Sequence, residues 1–283
     1  MYALFMRFVF LGTGTSAGVP AIGCDCAVCR SDDPRDRRLR TSAVLEWTDP
    51  HGRPRAVLLD AGPDLRQQAL SAGLRRCDAV LFTHNHVDHT FGLDEVRRFN
   101  VAQRGPVEVL AEQHTMDHLR RVYRHIFESD ANVNDSFVAH LIPRHIAPGE
   151  PLDLFGVRFT PFRLLHGRLP ILGYRIEPGA ALLRGAAASF WSAHFPLAYC
   201  TDVSGFPPEA FGAVRGLRTL VLDALRRRHH PTHLTLDQAV DLAGRIGAGR
   251  TYFVHMAHDL PHAQTEAELP DDLRLAYDGL VLS

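Results

Sequence analysis

The 283 residues carry Lys+Arg 31 against Asp+Glu 32, a formal net charge of -1, and a hydrophobic fraction of 46%. That balance excludes a global basic field for nucleic acid, so an anionic substrate must be held locally, and the length allows one large domain or two small ones. No apolar run approaches the roughly eighteen residues of a membrane-spanning helix, whereas 17 histidines stand out and point to metal chemistry.

In chain order, Arg7 to Leu11 reads as a first strand. Arg7 interrupts, and Gly12-Thr13-Gly14-Thr15 ends, what would otherwise be a signal-peptide core, and Met6 is an alternative start. The glycines have the wrong spacing for a dinucleotide fingerprint, so a tight strand-to-loop turn is expected there. Cys24-Asp25-Cys26-Ala27-Val28-Cys29 follows, three thiols that fit three corners of a tetrahedral zinc site whose fourth ligand must come from elsewhere. Five cysteines, three of them clustered, suit metal binding in a reducing compartment better than a disulfide framework, and the cytoplasm is the expected address. The arginine-rich run Arg35 to Arg40 reads as a solvated face.

Ala43 to Trp47 and Ala56 to Asp60 form an expected hairpin through Asp49-Pro50-His51-Gly52. Asp64 with Gln67 resembles a capping box opening a helix that Gly73 stops. Asp60, at a strand end, is a candidate support for a metal ligand. The apolar run Ala79 to Phe82 then delivers Thr83-His84-Asn85-His86-Val87-Asp88-His89, three imidazoles and a carboxylate within six residues at a strand end. His84 and His86 can grip one ion from extended backbone, while Asp88 and His89 must turn towards a second.

A helix with Leu93, Val96 and Phe99 inward, a strand from Val107 to Leu110 and a helix from Gln113 to Phe127 come next. His114, His118 and His125 are assigned to the exposed face of that second helix, and His140 and His145 are candidate substrate contacts. A second run of strands opens at Gly149, with His166 ending one of them, and Gly179 to Ala188 reads as a surface loop. Strands from Leu197 to Asp202 and Leu220 to Leu225 follow, then Arg226 to His233, and a helix capped by Thr235 with Gln238. The last strand, Thr251 to Val254, delivers His255, with His258 three residues on. Strands ending repeatedly in His or Asp predict a site along one sheet edge.

His84-x-His86-x-Asp88-His89 followed by His166, Asp202 and His255 resembles the metallo-β-lactamase superfamily over nearly the whole chain. Within it, Cys-x-Cys-x-x-Cys, Pro231-Thr232-His233-Leu234-Thr235 and His255-Met256-Ala257-His258-Asp259 resemble the PhnP family of phosphodiesterases. The resemblance implies an α/β four-layer αββα sandwich, one domain over 1–283 with a zinc-binding loop at 23–30. It implies that His84, His86 and His166 hold one divalent ion, that Asp88, His89 and His255 hold the other, and that Asp202 bridges them, with Cys200 buried nearby. Cys24, Cys26, Cys29 and His258 would hold a structural Zn²⁺; spacing alone does not choose among His51, His258 and His262. With Zn²⁺ or Mn²⁺ in the paired site, Asp88 counts among the catalytic residues and His233 is the expected general acid or phosphate contact. The expected reaction is hydrolysis of a small cyclic or nucleotide-like phosphodiester, with no membrane or stable nucleic-acid partner and with a homodimer allowed for. The alternatives are a tRNA 3′-processing nuclease, a thioester or lactam hydrolase, and a PqqB-like biosynthetic accessory protein with only a structural zinc.

Overall fold

The computed structural model describes residues 6–128, 130, 137–184 and 187–283; residues 1–5, and residues 185–186 of the expected surface loop, lie outside the described part. One sheet contains β1 (Arg7–Gly12), β2 (Ser42–Thr48), β3 (Pro54–Leu59), β4 (Ala79–Leu81), β5 (Val107–Ala111), β6 (Leu141–His145) and β14 (Val281–Leu282), ordered β14-β1-β2-β3-β4-β5-β6. The other contains β7 (Leu152–Leu154), β8 (Val157–His166), β9 (Leu169–Pro178), β10 (Leu197–Cys200), β11 (Thr219–Asp223), β12 (Arg250–Val254) and β13 (Leu273–Leu275), ordered β13-β12-β11-β10-β9-β8-β7. Each sheet changes from antiparallel to parallel pairing part-way across, at β3 in the first and β10 in the second.

Strand alternation sorts the apolar residues into layers. Phe8, Phe10, Leu45, Val57 and Leu59 of the first sheet meet Phe159, Tyr174, Ile176, Tyr199 and Val221 of the second in one core between the sheets. Their neighbours in sequence, Val9, Val44, Leu58 and Val80, point the other way and pack under Leu65, Leu93, Val96, Phe99 and Leu119 from helical segments. On the far side, Leu164, Leu220, Leu222 and Phe253 pack under Leu236, Ala239, Leu242 and Ala243. Three stacked cores make four layers, helices outside and two sheets within. Among the described residues no helix is long and apolar enough to cross a membrane.

Several local expectations need correction. The run Arg35 to Arg40 is not a solvated face: the Arg38 side chain is fully buried, donating from Nη1 to Ala257 O (2.8 Å) and from Nη2 to Leu260 O (2.5 Å). The carbonyls of the buried residues Ala257 and Leu260, on either side of His258, need donors, and a guanidinium supplies a fork of them. Asp64 does sit at the N-terminus of the helix Leu65–Ala72, but its carboxylate accepts from Arg40 N (2.8 Å) and Arg40 Nη1 (2.9 Å) instead of capping. The helix from Gln113 breaks after Val122 and resumes as the single turn Arg124–Phe127. Tyr123, at the break, donates its hydroxyl to Thr90 O at 3.0 Å. The stretch after Gly179 leads at Ala188 into a helix, Ala188–His194, that buries Phe190 and Trp191. By contrast, Thr235 and Gln238 form the expected reciprocal capping box.

Candidate active site

The functional side chains leave the carboxyl ends of strands from both sheets, at the edge where open α/β sheets collect ligands. Asp60 follows β3, His84 lies three residues past β4, and His166 closes β8; Asp202 is two residues past β10, Asp223 closes β11, and His255 follows β12. Asp60, Asp202 and His255 each take the left-handed backbone conformation, with φ of 62°, 58° and 61°. That region is unfavourable for side chains bearing a Cβ, by about 1–3 kcal/mol each. Here it turns each chain off its sheet so that the side chain faces the common edge.

Two glycines let the segments approach closely. A Cβ on Gly62 would lie 2.0 Å from Asp88 O, and one on Gly92 would lie 1.9 Å from Gly62 O. The segment carrying Asp88 and His89, with the short helix Val87–Thr90, is thereby pressed against the end of β3.

The ligand-type atoms of His84, His86 and His166 lie within 4.8 Å of one another, as do those of Asp88, His89, Asp202 and His255. Asp202 faces both groups: its Oδ1 is 4.0 Å from His84 Nε2 and 3.1 Å from His255 Nε2, and its Oδ2 is 3.1 Å from His89 Nε2. Six of these seven side chains are buried, and His86 is the exposed member. His114, His118, His125, His140 and His145 belong to none of the clusters found among the described residues, and the last two lie exposed on or beside edge strand β6.

A second ring of contacts holds the imidazoles by Nδ1 and turns Nε2 inward. His84 Nδ1 is 2.9 Å from Thr83 Oγ1, His89 Nδ1 is 2.8 Å from Asp60 Oδ2, and His166 Nδ1 donates to Thr232 O at 2.8 Å. Asp60 is fixed in turn by the Thr83 N–H (2.8 Å) and hydroxyl (2.9 Å). Asp223 accepts from Leu234 N–H at 3.0 Å and lies 3.1 Å from His233 Nδ1 and 3.5 Å from His255 Nδ1. This is the arrangement by which outer groups set tautomer and ring orientation in metal sites.

The Nε2 atoms of His84, His89 and His255 are buried without a hydrogen-bond partner. Orphaned imidazole nitrogens converging on shared carboxylates are costly unless a cation completes them, so the residues fit a pair of divalent ions. The electrostatics agree. Burial pushes His84 well below its ordinary value, and burial, with neighbouring imidazoles, lowers His166 to about 4. At His89, burial is outweighed by Asp202, Asp60 and Asp88, which raise it. Asp202 resists its own burial because His255 and His89 hold it well below the usual carboxylate range. Ionised carboxylates and, at His84 and His166, neutral imidazoles are the forms that bind divalent metals, whereas the carboxylates around His89 and His255 raise both and so call for positive charge at that point, which a divalent ion would supply.

A family model for the beta-lactamase superfamily domain matches residues 55–256, which takes in every one of these strand ends. The chain belongs to the metallo-β-lactamase superfamily. Within the superfamily it is PhnP-like: it is similar to a solved diphosphatase of the PhnP family, with 39% identity, a TM-score of 0.83, and coverage of 99% of this chain and 98% of the other. It is also 36% identical over 277 residues to an octanoyltransferase of Porphyromonas gingivalis, spanning 97% of this chain but 51% of that one. Coenzyme PQQ synthesis protein B of Rhodopseudomonas palustris shares 31% identity over 191 residues, 62% of this chain and 57% of its own. The chain thus spans only about half the length of these two curated relatives.

This superfamily member carries a further cluster outside the paired site. His258 Nδ1 lies 3.1 Å from Cys24 Sγ, 3.5 Å from Cys26 Sγ and 3.3 Å from Cys29 Sγ. His262 is buried elsewhere, its N–H on Asp36 Oδ1 at 2.8 Å, and is no part of the cluster. The four groups can enclose a tetrahedral ion, and His258 joins that loop to the strand end bearing His255.

His233 is buried beside the paired site. Its ring stacks on His255 at 4.7 Å and 12°, and its ligand-type atom lies within 4.8 Å of those of His166 and Asp202. The sequence reading missed Asp223, although Leu220-Val221-Leu222-Asp223 repeats the apolar-strand-then-carboxylate pattern that marked Asp60 and Asp202. It also missed the Thr232 carbonyl, because a main-chain acceptor leaves no residue-type signal.

Proposed function

We propose that this protein is a binuclear metal-dependent phosphodiesterase acting on small cyclic or nucleotide-like phosphodiesters. The observation that carries the reading is His233: it stands against the site on Asp223, yet neither the His84, His86 and His166 group nor the Asp88, His89 and His255 group with Asp202 needs it as a ligand. His84, His86 and His166 would hold one ion, Asp88, His89 and His255 the other, and Asp202 would bridge them. When bound, two divalent ions would supply a hydroxide at neutral pH and stabilise charge on the phosphoryl oxygens. Asp60 and Thr232 O orient His89 and His166. Asp223, held by the Leu234 N–H, fixes His233 with Nδ1 turned away and Nε2 towards the substrate, where it can give a proton to the leaving oxygen. Burial keeps His233 low, at about 4, so its resting form at neutral pH is the free imidazole, and the proton it would give to the leaving oxygen is one it would first take from the attacking water. Similarity to the PhnP-family diphosphatase supports phosphoryl over other hydrolytic chemistry. Cys24, Cys26, Cys29 and His258 would hold a structural Zn²⁺.

A second reading is acyl hydrolysis, favoured by the likeness to the octanoyltransferase along almost the whole of this chain. Turnover of bis-p-nitrophenyl phosphate and of an acyl thioester on one preparation separates the two. The phosphodiesterase reading expects the first to dominate, to vanish on chelation and to return with Zn²⁺ or Mn²⁺. Absence of phosphodiester turnover in protein carrying both active-site ions would sink it. Metal analysis is expected to give three ions per chain; a single zinc would favour the accessory-protein reading.

A further inference from the structure

The loop between β11 and the helix Leu236–Ile246 does more than deliver His233. The Arg226 guanidinium donates to the carbonyls of Arg228 and His229, both at 3.3 Å, and Leu236 N–H donates to Arg226 O at 3.0 Å, closing the neck of the loop. Inside it, Thr232 N–H donates to His230 Nδ1 at 3.3 Å, with Thr232 Oγ1 3.1 Å from the same atom. A main-chain N–H can only donate, so Nδ1 carries the lone pair and the neutral imidazole keeps its proton on Nε2. That Nε2–H has no partner among the described residues and is not among the buried unsatisfied atoms. The His230 ring lies 5.1 Å from the His233 ring and is partly exposed, whereas His233 is buried. His230 is therefore one ring further from the paired site than His233, with its donor in place before any ligand arrives.

The charge around this donor selects its ligand. Arg227 is paired with Glu268 and Arg228 with Asp259 (3.4 Å), but Arg226 is spent on neutral carbonyls and has no carboxylate partner among the described residues. The loop thus presents a fixed N–H donor beside the group assigned to the leaving oxygen, with the Arg226 cation close enough to act on His230, a setting for a second phosphoryl group. We propose that His230 is a specificity-determining residue, donating Nε2–H to a non-scissile phosphoryl group carried on the leaving side of the substrate. The proposal rests on the phosphodiesterase reading and narrows its substrate class to compounds with two neighbouring phosphoryl groups.

The test compares diadenosine diphosphate, whose leaving group carries a second phosphoryl, with bis-p-nitrophenyl phosphate, whose leaving group carries none, on metal-loaded protein. In His230→Ala the ratio of kcat/KM for the first substrate to that for the second is expected to fall about tenfold, through KM, the worth of one hydrogen bond to a charged group. His230→Gln, which keeps an N–H donor, is expected to recover most of the ratio. A ratio within twofold of wild type in His230→Ala overturns the proposal, since a loss shared by both substrates means that His230 only props Thr232 under His166. Wild-type turnover of bis-p-nitrophenyl phosphate without turnover of diadenosine diphosphate also overturns it, while leaving the phosphodiesterase reading intact. Turnover of neither by the metal-loaded protein overturns both.

Discussion

His233 and Asp223 show how much of the chemistry is set by single contacts. Asp223 accepts from Leu234 N–H and from His233 Nδ1 and lies 3.5 Å from His255 Nδ1, so one carboxylate orients the imidazole assigned to proton transfer and sets the charge beside one assigned to the metal. His233→Ala is expected to lower kcat by about 10²–10⁴-fold for a poor leaving group, with metal content and fold unchanged. The loss should shrink for p-nitrophenolate, which leaves without a proton. A uniform loss across leaving groups, read from a plot of log kcat against leaving-group pKa, would remove His233 from the acid role. At this scale the sequence was most legible: the cluster His84, His86, Asp88 and His89 after one apolar run, and His166, Asp202 and His255 at the ends of others, marked the candidates, and the resemblance to a known superfamily sorted them into ligand sets. Asp223 follows the same rule, but within Leu220 to Leu225 the apolar run continues past it, so it does not stand out as a strand end.

At the scale of elements, the site depends on how tightly the loops after the strands are packed. The helices were legible where a cap and an apolar stripe coincide, as at Thr235, and misread where a side chain had a distant use. Asp64 serves Arg40 across the loop, and Tyr123 breaks its helix to reach Thr90 O. The Gly62–Gly92 contact is a backbone-to-backbone approach that a methyl group cannot enter. Gly92→Ala is expected to destabilise the protein by about 3 kcal/mol or more, because main chain on both sides must move. Since the displaced segment carries Asp88 and His89, its affinity for the second ion should fall in parallel. Denaturant unfolding and metal titration check the two effects; normal metal affinity in a destabilised variant would show that the loop adjusts independently of the site.

On the scale of the whole molecule, the two sheets are locked together at the site. Tyr174 donates its hydroxyl to Phe82 O at 2.6 Å, and Leu172 N–H donates to Thr83 O at 3.0 Å, joining β9 to the end of β4. Across the same edge, Asp278 accepts from Thr13 Oγ1 (2.8 Å) and Leu39 N–H (2.7 Å), tying the C-terminal segment to the first loop. Burial raises the Asp278 carboxyl to about 7, against roughly 3.9 in an unfolded chain. Between those values the native state keeps a proton that the unfolded chain has lost. This group's contribution is therefore most favourable below about pH 4, declines as the pH rises towards 7, and is constant above. The stability of wild type relative to Asp278→Asn is expected to fall over that interval, and parallel stability–pH curves for the two would contradict it.

While the four-layer class followed from resemblance to a known superfamily and β13 and β14 left no signal, the amino-acid sequence by itself determined most of the strands and the residue types of both clusters. It could do so because period-two apolar runs and the His, Asp and Cys residues at their ends are local patterns. It could not choose His258 over His51 or His262 as partner of Cys24, Cys26 and Cys29, and it placed Arg38 on the surface when it is buried against Ala257 and Leu260. Those were decided only when β12 brought the loop after it beside residues more than two hundred positions earlier, because a side chain's partner over that distance depends on where the sheets place the two backbones. The left-handed turns at Asp60, Asp202 and His255 belong to the same class. The sequence supplies residues that tolerate such a turn at a cost, and the packed sheet edge makes the cost worth bearing.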